Sequence, residues 1–278
     1  MIQGFKSAGY YTVDDFNYAD GVWTLKTGVP DIKSIVNYAG ANNFKRPEGQ
    51  TAFPGMMKFE NLNDDNAVDD DDKTIIGKTM PKHTGGFNIS GHYKNFDFGV
   101  NFTYQIGGDV YNANSMYAVM GNKDTSFGSN RLAFVKDCFK IYDVDAKGDL
   151  FVVTEPDALR ALNVNAKHAL PYSEYGIVSS EFVEDASYLR LNTLTLGWTL
   201  PKEWTKKVGV SNCRVYFTGS NLFCLSGYSG LDPDVNTATD GKTDGFPTPY
   251  YDYCSYPKAR TYTFGTVSYT HLTLPTIA

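Results

Sequence analysis

The chain has 278 residues, of which 42% are hydrophobic and 15% aromatic, with 20 tyrosines, 18 phenylalanines and 26 glycines. This content is too apolar for a disordered chain, and the excess of tyrosine and phenylalanine favours strands and tight turns over helices. The formal net charge of −6 argues against a nucleic-acid binder, which needs a basic face to displace counterions from phosphate. Composition therefore predicts a folded, all-β protein without a nucleic-acid partner.

The predicted elements begin with a short candidate strand at residues 10–13 and a long irregular segment at 51–82. Residues 87–93 and 96–106 follow as two strands with a two-residue connection between them. Apolar and polar side chains alternate strictly along both segments. This pattern predicts a β-hairpin with one apolar and one polar face.

The remaining elements repeat this order of long segments and paired strands. They are a long segment at 111–186, strands at 188–200 and 214–225, a long loop at 227–258 and a last strand from Arg260. The apolar phase slips between Leu191 and Leu194, which predicts either a β-bulge at that point or a lipid-facing stretch that begins only at Leu194.

Short connections are predicted at one end of the strands and long ones at the other. Alternating strands also occur in soluble β-sandwiches, which are the alternative interpretation. Bacterial outer-membrane barrels combine short periplasmic turns with long extracellular loops, and each of their strands needs only about 9–11 residues. The sequence therefore predicts a partial antiparallel transmembrane β-barrel. About five strands leave unpaired edges in a bilayer, so this fragment needs further strands.

The amino-terminal stretch MIQGFKSAGYY lacks a basic segment followed by an apolar one, so we recognise no export signal in it. If the protein is exported to an outer membrane, its beginning is expected to lie upstream of this sequence.

Several phrases resemble the SusC/RagA-type TonB-dependent outer-membrane transporters and occur in that family's order. They are PGMMKF at 54–59, NLNDDNAVD at 61–69, TGGFN at 84–88, GDVYN at 108–112, YLRLNTLTLGWTLP at 188–201, GLDPD at 230–234 and YPKARTYTFG at 256–265. Each phrase alone is weak, but their order and spacing make the match specific. The resemblance identifies residues 1–266 as a C-terminal part of the receptor's β-barrel.

The resemblance implies a barrel of about 22 strands around an amino-terminal plug, of which this chain supplies the last strands. It implies import of glycans or peptides across the outer membrane, with TonB acting through the missing amino-terminal part. A SusD-like surface lipoprotein is the expected partner at the extracellular mouth, and outer-membrane lipid is expected to surround the strands. The alternative function is a secreted β-rich module for glycan binding or adhesion.

The last residues depart from the family pattern. After Gly265 the family would end within a few residues, whereas residues 267–278 read VSYTHLTLPTIA. This string looks like the in-frame translation of a common sequencing-library adapter, and a genuine terminal strand is the alternative. We therefore predict that residues 267–278 are not native and exclude them from fold reasoning.

An acidic segment at 61–72 has the spacing of a calcium loop. Positions 1, 3, 5, 9 and 12 of this window are Asn61, Asn63, Asp65, Asp69 and Asp72. Ca²⁺ needs several oxygen ligands on a flexible loop, which such spacing can supply. Asn61 replaces the usual aspartate, and Asn66 replaces the glycine of the sharp turn. A calcium site and a solvated acidic loop both fit this segment.

Aromatic residues in the loops are the candidates for substrate contact. Tyr250, Tyr251 and Tyr253 are predicted to bind substrate, and Tyr256 and Trp23 have the same chemistry. Such rings stack on sugars or pack against a protein partner, but they also form the aromatic girdles of barrels at the membrane interface.

No catalytic constellation is present. His83, His92 and His168 belong to no nucleophile or zinc signature, and the four cysteines lack metal-ligand spacing. A disulfide between Cys138 and Cys254 stays open as an alternative to free thiols. We predict no enzyme activity and no cofactor apart from the candidate Ca²⁺.

Overall fold

The computed structural model describes residues 1–33, 43–63, 65–119, 132–171, 177–237, 248–253 and 255–270. The chain divides into two compact units. The first consists of Met1–Thr79, Tyr111–Val183 and Tyr251–Cys254. The second consists of Met80–Val110, Glu184–Tyr250 and Ser255–Ala278. The first unit is thus built largely from segments that the sequence presented as loops.

Strands dominate the described residues, and helices are short. The strands are β1 (Ile2–Gly4), β2 (Ser7–Tyr10), β3 (Phe16–Ala19), β4 (Val22–Leu25), β5 (Asp31–Ile32), β6 (Met57–Phe59), β7 (Ala67–Val68), β8 (Thr74–Gly77), β9 (His83–Tyr93), β10 (Phe96–Ile106), β11 (Asp109–Asn112), β12 (Tyr142–Val144), β13 (Leu150–Val152), β14 (Val183–Asp185), β15 (Tyr188–Thr199), β16 (Asn212–Ser226), β17 (Asn236–Thr237), β18 (Thr248–Pro249), β19 (Tyr251–Asp252) and β20 (Thr261–Tyr269). The α-helices are α1 (Ala113–Val119), α2 (Pro156–Leu162) and α3 (Lys202–Thr205). Among the described residues, no helix is long and apolar enough to cross a membrane.

A five-stranded antiparallel sheet forms the centre of the second unit, in the order β20-β16-β15-β10-β9. β9 and β10 pair along their whole length. β15 pairs with β10 on one side and with β16 on the other, and β16 pairs with β20. The five predicted strands and their antiparallel pairing are confirmed.

The connections in this sheet have the predicted asymmetry. At one end, Lys94 and Asn95 alone join β9 to β10, and Lys94 adopts a left-handed conformation with φ of 54°. The link from β15 to β16 at the same end contains α3. At the other end, residues 107–187 join β10 to β15, and residues 227–260 join β16 to β20.

The bulge predicted between Leu191 and Leu194 is confirmed. The pairing register of β15 shifts there, and Asn192 has no Cα partner on either neighbouring strand. The Asn192 side chain accepts a hydrogen bond from Thr103 Oγ1 at 3.2 Å and donates one to Asn101 Oδ1 at 3.4 Å. The extra residue therefore belongs to the polar face, which leaves both leucines on the apolar face.

The first unit has its own hydrophobic core, rich in aromatic residues. Tyr11, Trp23, Phe53 and Phe59 are all at most 1% exposed. Phe53 and Phe59 come from the segment at 51–82 that was predicted to be irregular. Among its described residues only β6, β7, β8 and a 3₁₀ helix at Asp70–Asp72 are regular, so much of the backbone is irregular as predicted. Its side chains nevertheless bury apolar surface against rings from distant parts of the chain.

The candidate sixth strand at residues 10–13 does not join the five-stranded sheet. β2 ends at Tyr10 and pairs with β6, and a 3₁₀ helix begins at Val13. Tyr11 and Val13 instead belong to the core of the first unit. The prediction of a sixth spanning strand was therefore wrong.

Candidate functional site

The two faces of the five-stranded sheet differ in chemistry. One face carries Ile89, Phe96, Phe98, Val100, Phe102, Leu194, Leu196, Trp198, Phe217 and Phe264, and the other carries Asp97, Asn101, Thr195, Arg214 and Thr218. Phe96 is 58% exposed and Phe98 is 43% exposed. A β-sandwich would enclose these rings between two layers. Their exposure rules out the sandwich interpretation and leaves an apolar outer face.

An ion pair crosses three strands on the polar face. The Arg214 guanidinium donates to Asp97 through Nε–Oδ1 at 2.9 Å and Nη2–Oδ2 at 2.5 Å. Gly197 on the strand between them leaves the space for this contact. A Cβ at Gly197 would lie 2.3 Å from Arg214 Nη2 and 2.4 Å from Asp97 Oδ1. The Arg214 guanidinium also lies over the Tyr216 ring, 5.4 Å from its centroid.

Replacing Gly197 by alanine is expected to displace this ion pair. The clashing atoms are the ends of two flexible, partly exposed side chains, so the loss of stability should stay within about 1 kcal/mol. Urea unfolding of the full-length protein measures this change in stability. Gly99→Ala is the matched control, because a Cβ at this glycine of the same face meets nothing within 4 Å. Equal effects of the two variants would contradict this role of Gly197.

A second, buried ion pair fixes the loop that follows β16. Arg190 and Asp232 are 4% and 6% exposed, and Nη2 donates to Oδ1 at 2.5 Å. The guanidinium lies over the Tyr188 ring, 5.2 Å from its centroid. Burial opposes ionisation of Asp232, but the hydrogen bonds from Arg190 and from the Asp234 backbone N–H outweigh it and lower the pKa of this carboxyl.

Further contacts hold the start of this loop within the second unit. Val110, Ala186, Tyr228 and Val235 form a small buried cluster. Ser229 Oγ donates to Glu184 at 2.7 Å. The first residues of this loop are therefore held in place by contacts within the second unit.

The structure divides the tyrosines predicted to bind substrate between the two units. Tyr250 belongs to the second unit, packs against the cluster around Val235, and has a φ of 68°. Tyr251 belongs to the first unit and stacks on Tyr111 with ring centroids 5.6 Å apart. Tyr253, in the same unit, is 46% exposed. Of the three rings, Tyr253 offers the most surface to a ligand, and substrate binding stays a prediction.

The two further aromatic candidates have opposite environments. Tyr256 is 92% exposed, whereas Trp23 is 1% exposed. The Trp23 ring contacts Phe16, Tyr18 and Phe44. Trp23 was wrongly grouped with exposed loop residues, because its segment folds into a core.

The five predicted calcium ligands lie in one loop of the first unit, and their oxygens bond largely to that loop's own backbone. Oδ1 of Asn61, Asn63, Asp65 and Asp69 each accepts the N–H two residues further along, at distances of 2.8–3.2 Å. The Asn61 side chain also donates to the Asp65 carbonyl oxygen. These short-range bonds hold the loop in successive Asx turns.

Asp72, the last predicted ligand, is fully buried. Its Oδ1 accepts from the Leu62 N–H at 2.6 Å, and its Oδ2 accepts from the Asp69 N–H at 3.0 Å. Among the described residues, which omit Asp64, no group of three or more His, Cys, Asp or Glu is arranged to hold a metal. Calcium binding therefore stays a prediction.

His168 and Cys138 are titratable residues outside these sites. His168 Nδ1 lies 3.0 Å from Glu181 Oε1. Cys138 is a buried free thiol, and burial together with nearby carboxylates, Glu181 first among them, raises its pKa to about 11. A thiol with this pKa stays protonated near neutral pH and is a poor nucleophile. Cys254, its alternative disulfide partner, lies outside the described residues.

Comparisons with known proteins show the family to which this chain belongs. The chain is 30% identical over 233 residues to the TonB-dependent receptor P3 of Formosa agariphila, covering 82% of this chain and 20% of that receptor. It is 27% identical over 235 residues to the TonB-dependent receptor SusC of Bacteroides thetaiotaomicron, covering 83% and 19%. No protein-family model matches.

The fold is also similar to solved structures of the RagAB peptide transporter. One has a TM-score of 0.57 at 19% identity and covers 77% of this chain and 21% of that chain. A second, in a closed-closed state, has the same TM-score at 18% identity and covers 96% and 23%. The chain belongs to the SusC/RagA-type TonB-dependent receptors.

This SusC/RagA-type chain spans about a fifth of the length of the receptors it matches. The predicted partial barrel agrees with the fold of the RagAB neighbours. The matched proteins are described as receptors and as a peptide transporter, which agrees with the prediction of no enzyme activity.

Sequence reasoning missed the two ion pairs of this receptor segment. Arg190 and Arg214 are the only arginines in β15 and β16, and charged side chains within a sheet usually have partners. That signal points to carboxylate partners without saying which ones. Asp232 lies 42 residues from Arg190, and Asp97 lies 117 residues from Arg214.

Proposed function

We propose that residues 1–266 form the carboxyl-terminal part of the β-barrel of an outer-membrane nutrient transporter. The observation that carries this proposal is the two-faced sheet. Phe96 and Phe98 lie exposed on the side that would meet lipid, and Asp97 and Asn101 lie on the side that would meet an aqueous lumen. Four of the five strands, β9, β10, β15 and β16, have 11–15 residues each, enough for a tilted strand to cross a bilayer.

The proposed substrates are peptides or glycans too bulky for free diffusion. The RagAB neighbours are described as a peptide transporter, which supports peptides. The exposed rings of Tyr253 and Tyr256 offer flat surfaces on which sugars could stack. Energy would come from TonB through parts of the receptor outside this chain. The proposed partner is a SusD-like surface lipoprotein at the end of the barrel that carries the long loops.

Uptake by the full-length receptor tests this function. Labelled oligosaccharides and oligopeptides are supplied to cells that carry or lack the receptor gene, each with TonB intact or deleted. Uptake of one substrate class is expected only when both receptor and TonB are present. The receptor is also expected in the outer-membrane fraction, together with a SusD-like lipoprotein after affinity purification.

A secreted glycan-binding module would behave differently in the same cells. It would be recovered from the medium, and its glycan binding would not depend on TonB. That outcome would replace the transporter proposal, although the exposed apolar face of the sheet argues against it.

The acidic loop at residues 61–72 is proposed to bind Ca²⁺ weakly. Binding requires Asn63, Asp65 and Asp69 to exchange hydrogen bonds to the backbone for metal contacts, so a millimolar dissociation constant is expected. Calorimetric titration of the full-length receptor measures it. Asp65→Asn combined with Asp69→Asn should abolish the heat of binding, whereas Asp143→Asn, which changes an exposed carboxylate of β12, should not. No heat from the unmodified receptor at millimolar Ca²⁺ would end the proposal.

Residues 267–278 are proposed to derive from an adapter. Strand β20 continues through this boundary, with Val267 opposite Arg214 and Tyr269 opposite Asn212. Main-chain pairing of this kind accepts many sequences, so it does not require native residues. Sequencing genomic DNA beyond the codon for Gly265 decides the matter, and a genomic THLTLPT would show the segment to be native.

A further inference from the structure

An apolar groove lies on the outer face of the five-stranded sheet, near its short-turn end. Its volume is about 590 Å³. The residues that give it an aromatic and aliphatic wall are Tyr93, Phe96, Trp198, Val215, Phe217 and Phe264. Phe264 is 77% exposed and Tyr93 is 72% exposed. The groove therefore presents rings and methyl groups to the surroundings.

The rest of the receptor is not expected to fill this groove. Missing barrel strands would hydrogen-bond to the free edges of β9 and β20, because those strands lie at the two edges of the sheet. Added strands lengthen a sheet and leave its faces uncovered. The groove spans the strands between these edges and would face lipid in a closed barrel.

The turn beside the groove is basic, in contrast to the chain as a whole. Residues 201–211 contain Lys202, Lys206 and Lys207 against a single acidic residue, Glu203, while the whole chain has a net charge of −6. Lys94, in the neighbouring turn, adds a fourth cation. All four lysines are exposed. Within the described ranges, none of them forms an ion pair.

Trp204 connects the basic turn to the groove. This residue of α3 is 55% exposed, and its ring meets Trp198 edge-on with centroids 6.0 Å apart. Trp198 in turn stacks on Phe96 at 5.9 Å. Val208, in the same turn, is 74% exposed. A row of rings thus runs from the groove to the lysines. Tryptophan is enriched at the membrane–water interface, at the depth of the lipid headgroups.

We propose that this turn and groove bind an anionic phospholipid at the periplasmic end of the barrel. The lipid phosphate would pair with Lys202, Lys206 and Lys207, and an acyl chain would lie along the groove beside Phe96 and Phe217. Basic residues at a membrane surface attract anionic headgroups, and apolar grooves accept acyl chains. The inference rests on the proposed barrel function and adds a lipid site to it.

Native mass spectrometry of the delipidated full-length receptor in detergent tests the proposal. The probes are phosphatidylglycerol, which is anionic, and phosphatidylethanolamine with the same acyl chains, which is zwitterionic. The unmodified receptor should bind the first lipid about tenfold more tightly, because the lysines attract its net negative charge and partial screening limits that attraction. Equal binding of the two lipids would overturn the proposal.

The variant Lys202→Gln/Lys206→Gln/Lys207→Gln should lose the preference for phosphatidylglycerol. The matched control is Lys45→Gln/Lys140→Gln/Lys147→Gln, which removes the same charge from exposed positions of the first unit. This control should keep the preference. A triple variant of the turn that binds both lipids like the unmodified receptor would overturn the headgroup assignment.

Three further measurements separate the lipid site from misfolding. Raising the ionic strength from about 0.1 M to 1 M shortens the screening length from about 10 Å to 3 Å, so the unmodified receptor should lose most of its preference without any mutation. Trp204→Ala should weaken binding of both lipids while leaving their ratio unchanged. A folded barrel is verified in each sample by its heat-dependent shift in gel migration. Failure of that shift in the unmodified receptor would count against the barrel itself, whereas a folded barrel without lipid preference counts only against this inference.

Discussion

Replacing Arg190 by methionine is expected to release the loop that follows β16. Methionine keeps much of the apolar stem but leaves the buried Asp232 carboxylate without its guanidinium partner. Breaking a buried pair in this way typically costs about 3–5 kcal/mol. The five-stranded sheet keeps its own hydrogen bonds, so the loss should appear as local opening of the loop. Amide hydrogen exchange at residues 228–235 should accelerate by about a hundredfold for a loss near 3 kcal/mol, measured by mass spectrometry on the full-length receptor.

Two further variants test whether the loop opens because the ion pair is lost or because side-chain packing changes. Arg260→Met removes an exposed arginine at the same end of the sheet and should leave exchange in this loop unchanged. The double variant Arg190→Met/Asp232→Leu removes both charges and should recover most of the lost protection. If Arg190→Met exchanged like the unmodified receptor, the ion pair would not be what holds the loop.

The same ion pair predicts acid sensitivity of the loop. Because the pKa of Asp232 is lowered in the folded state, its carboxylate contributes fully to stability above the ordinary pKa of an aspartate. The contribution is lost as the pH falls through the lower folded value. Protection factors in the loop should therefore decrease below about pH 4. Asp232→Asn should show low protection at neutral pH already and no further loss from this group in acid.

The five-stranded sheet could be predicted because its signal is local. Each strand carries its own alternation, so the hairpin of β9 and β10 can be read from about twenty consecutive residues. Even the bulge at Asn192 has a local sign, since Leu191 and Leu194 are out of phase for an uninterrupted strand. Because successive side chains of a strand point to opposite sides of the sheet, the alternation also predicts which residues share a face.

The first unit could not be predicted because its signal is not local. Its strands have only two to four residues, too few to show a period. Its core joins residues far apart in the chain, such as Phe5 with Phe59 and Tyr10 with Phe139. A pattern within a single segment does not reveal which distant ring will cover it, and long segments with glycine, proline and aspartate read as loops.

The partners in the ion pairs could not be predicted for the same reason, because they lie far apart in the sequence. Arg190 stands in an apolar strand, so a carboxylate partner could be expected from the cost of an unpaired buried charge. The chain has 31 aspartates and glutamates, and the choice among them depends on how the loop folds back over β15. Only the three-dimensional structure identifies Asp232 as the partner of Arg190.

The largest effect on the five-stranded sheet is expected from Val100→Lys. Val100 lies near the middle of β10 on the apolar face, opposite Ile89 on β9 and Leu194 on β15. In a barrel this side chain would meet lipid at about the midplane, where a lysine costs about 2–4 kcal/mol. Reversible urea unfolding of the full-length receptor in lipid vesicles should show this loss as a lower midpoint.

The neighbouring residue supplies the control. Asn101 lies on the polar face, opposite Asn88 and Thr193, where a lysine would meet water in the lumen. Asn101→Lys introduces the same side chain one residue along the same strand and should change the stability by no more than about 0.5 kcal/mol. Since the two positions are adjacent on one strand and belong to opposite faces, comparison of the two losses of stability shows which side of the sheet meets lipid. A larger loss at Asn101 than at Val100 would reverse the assignment of the faces and, with it, the transporter proposal.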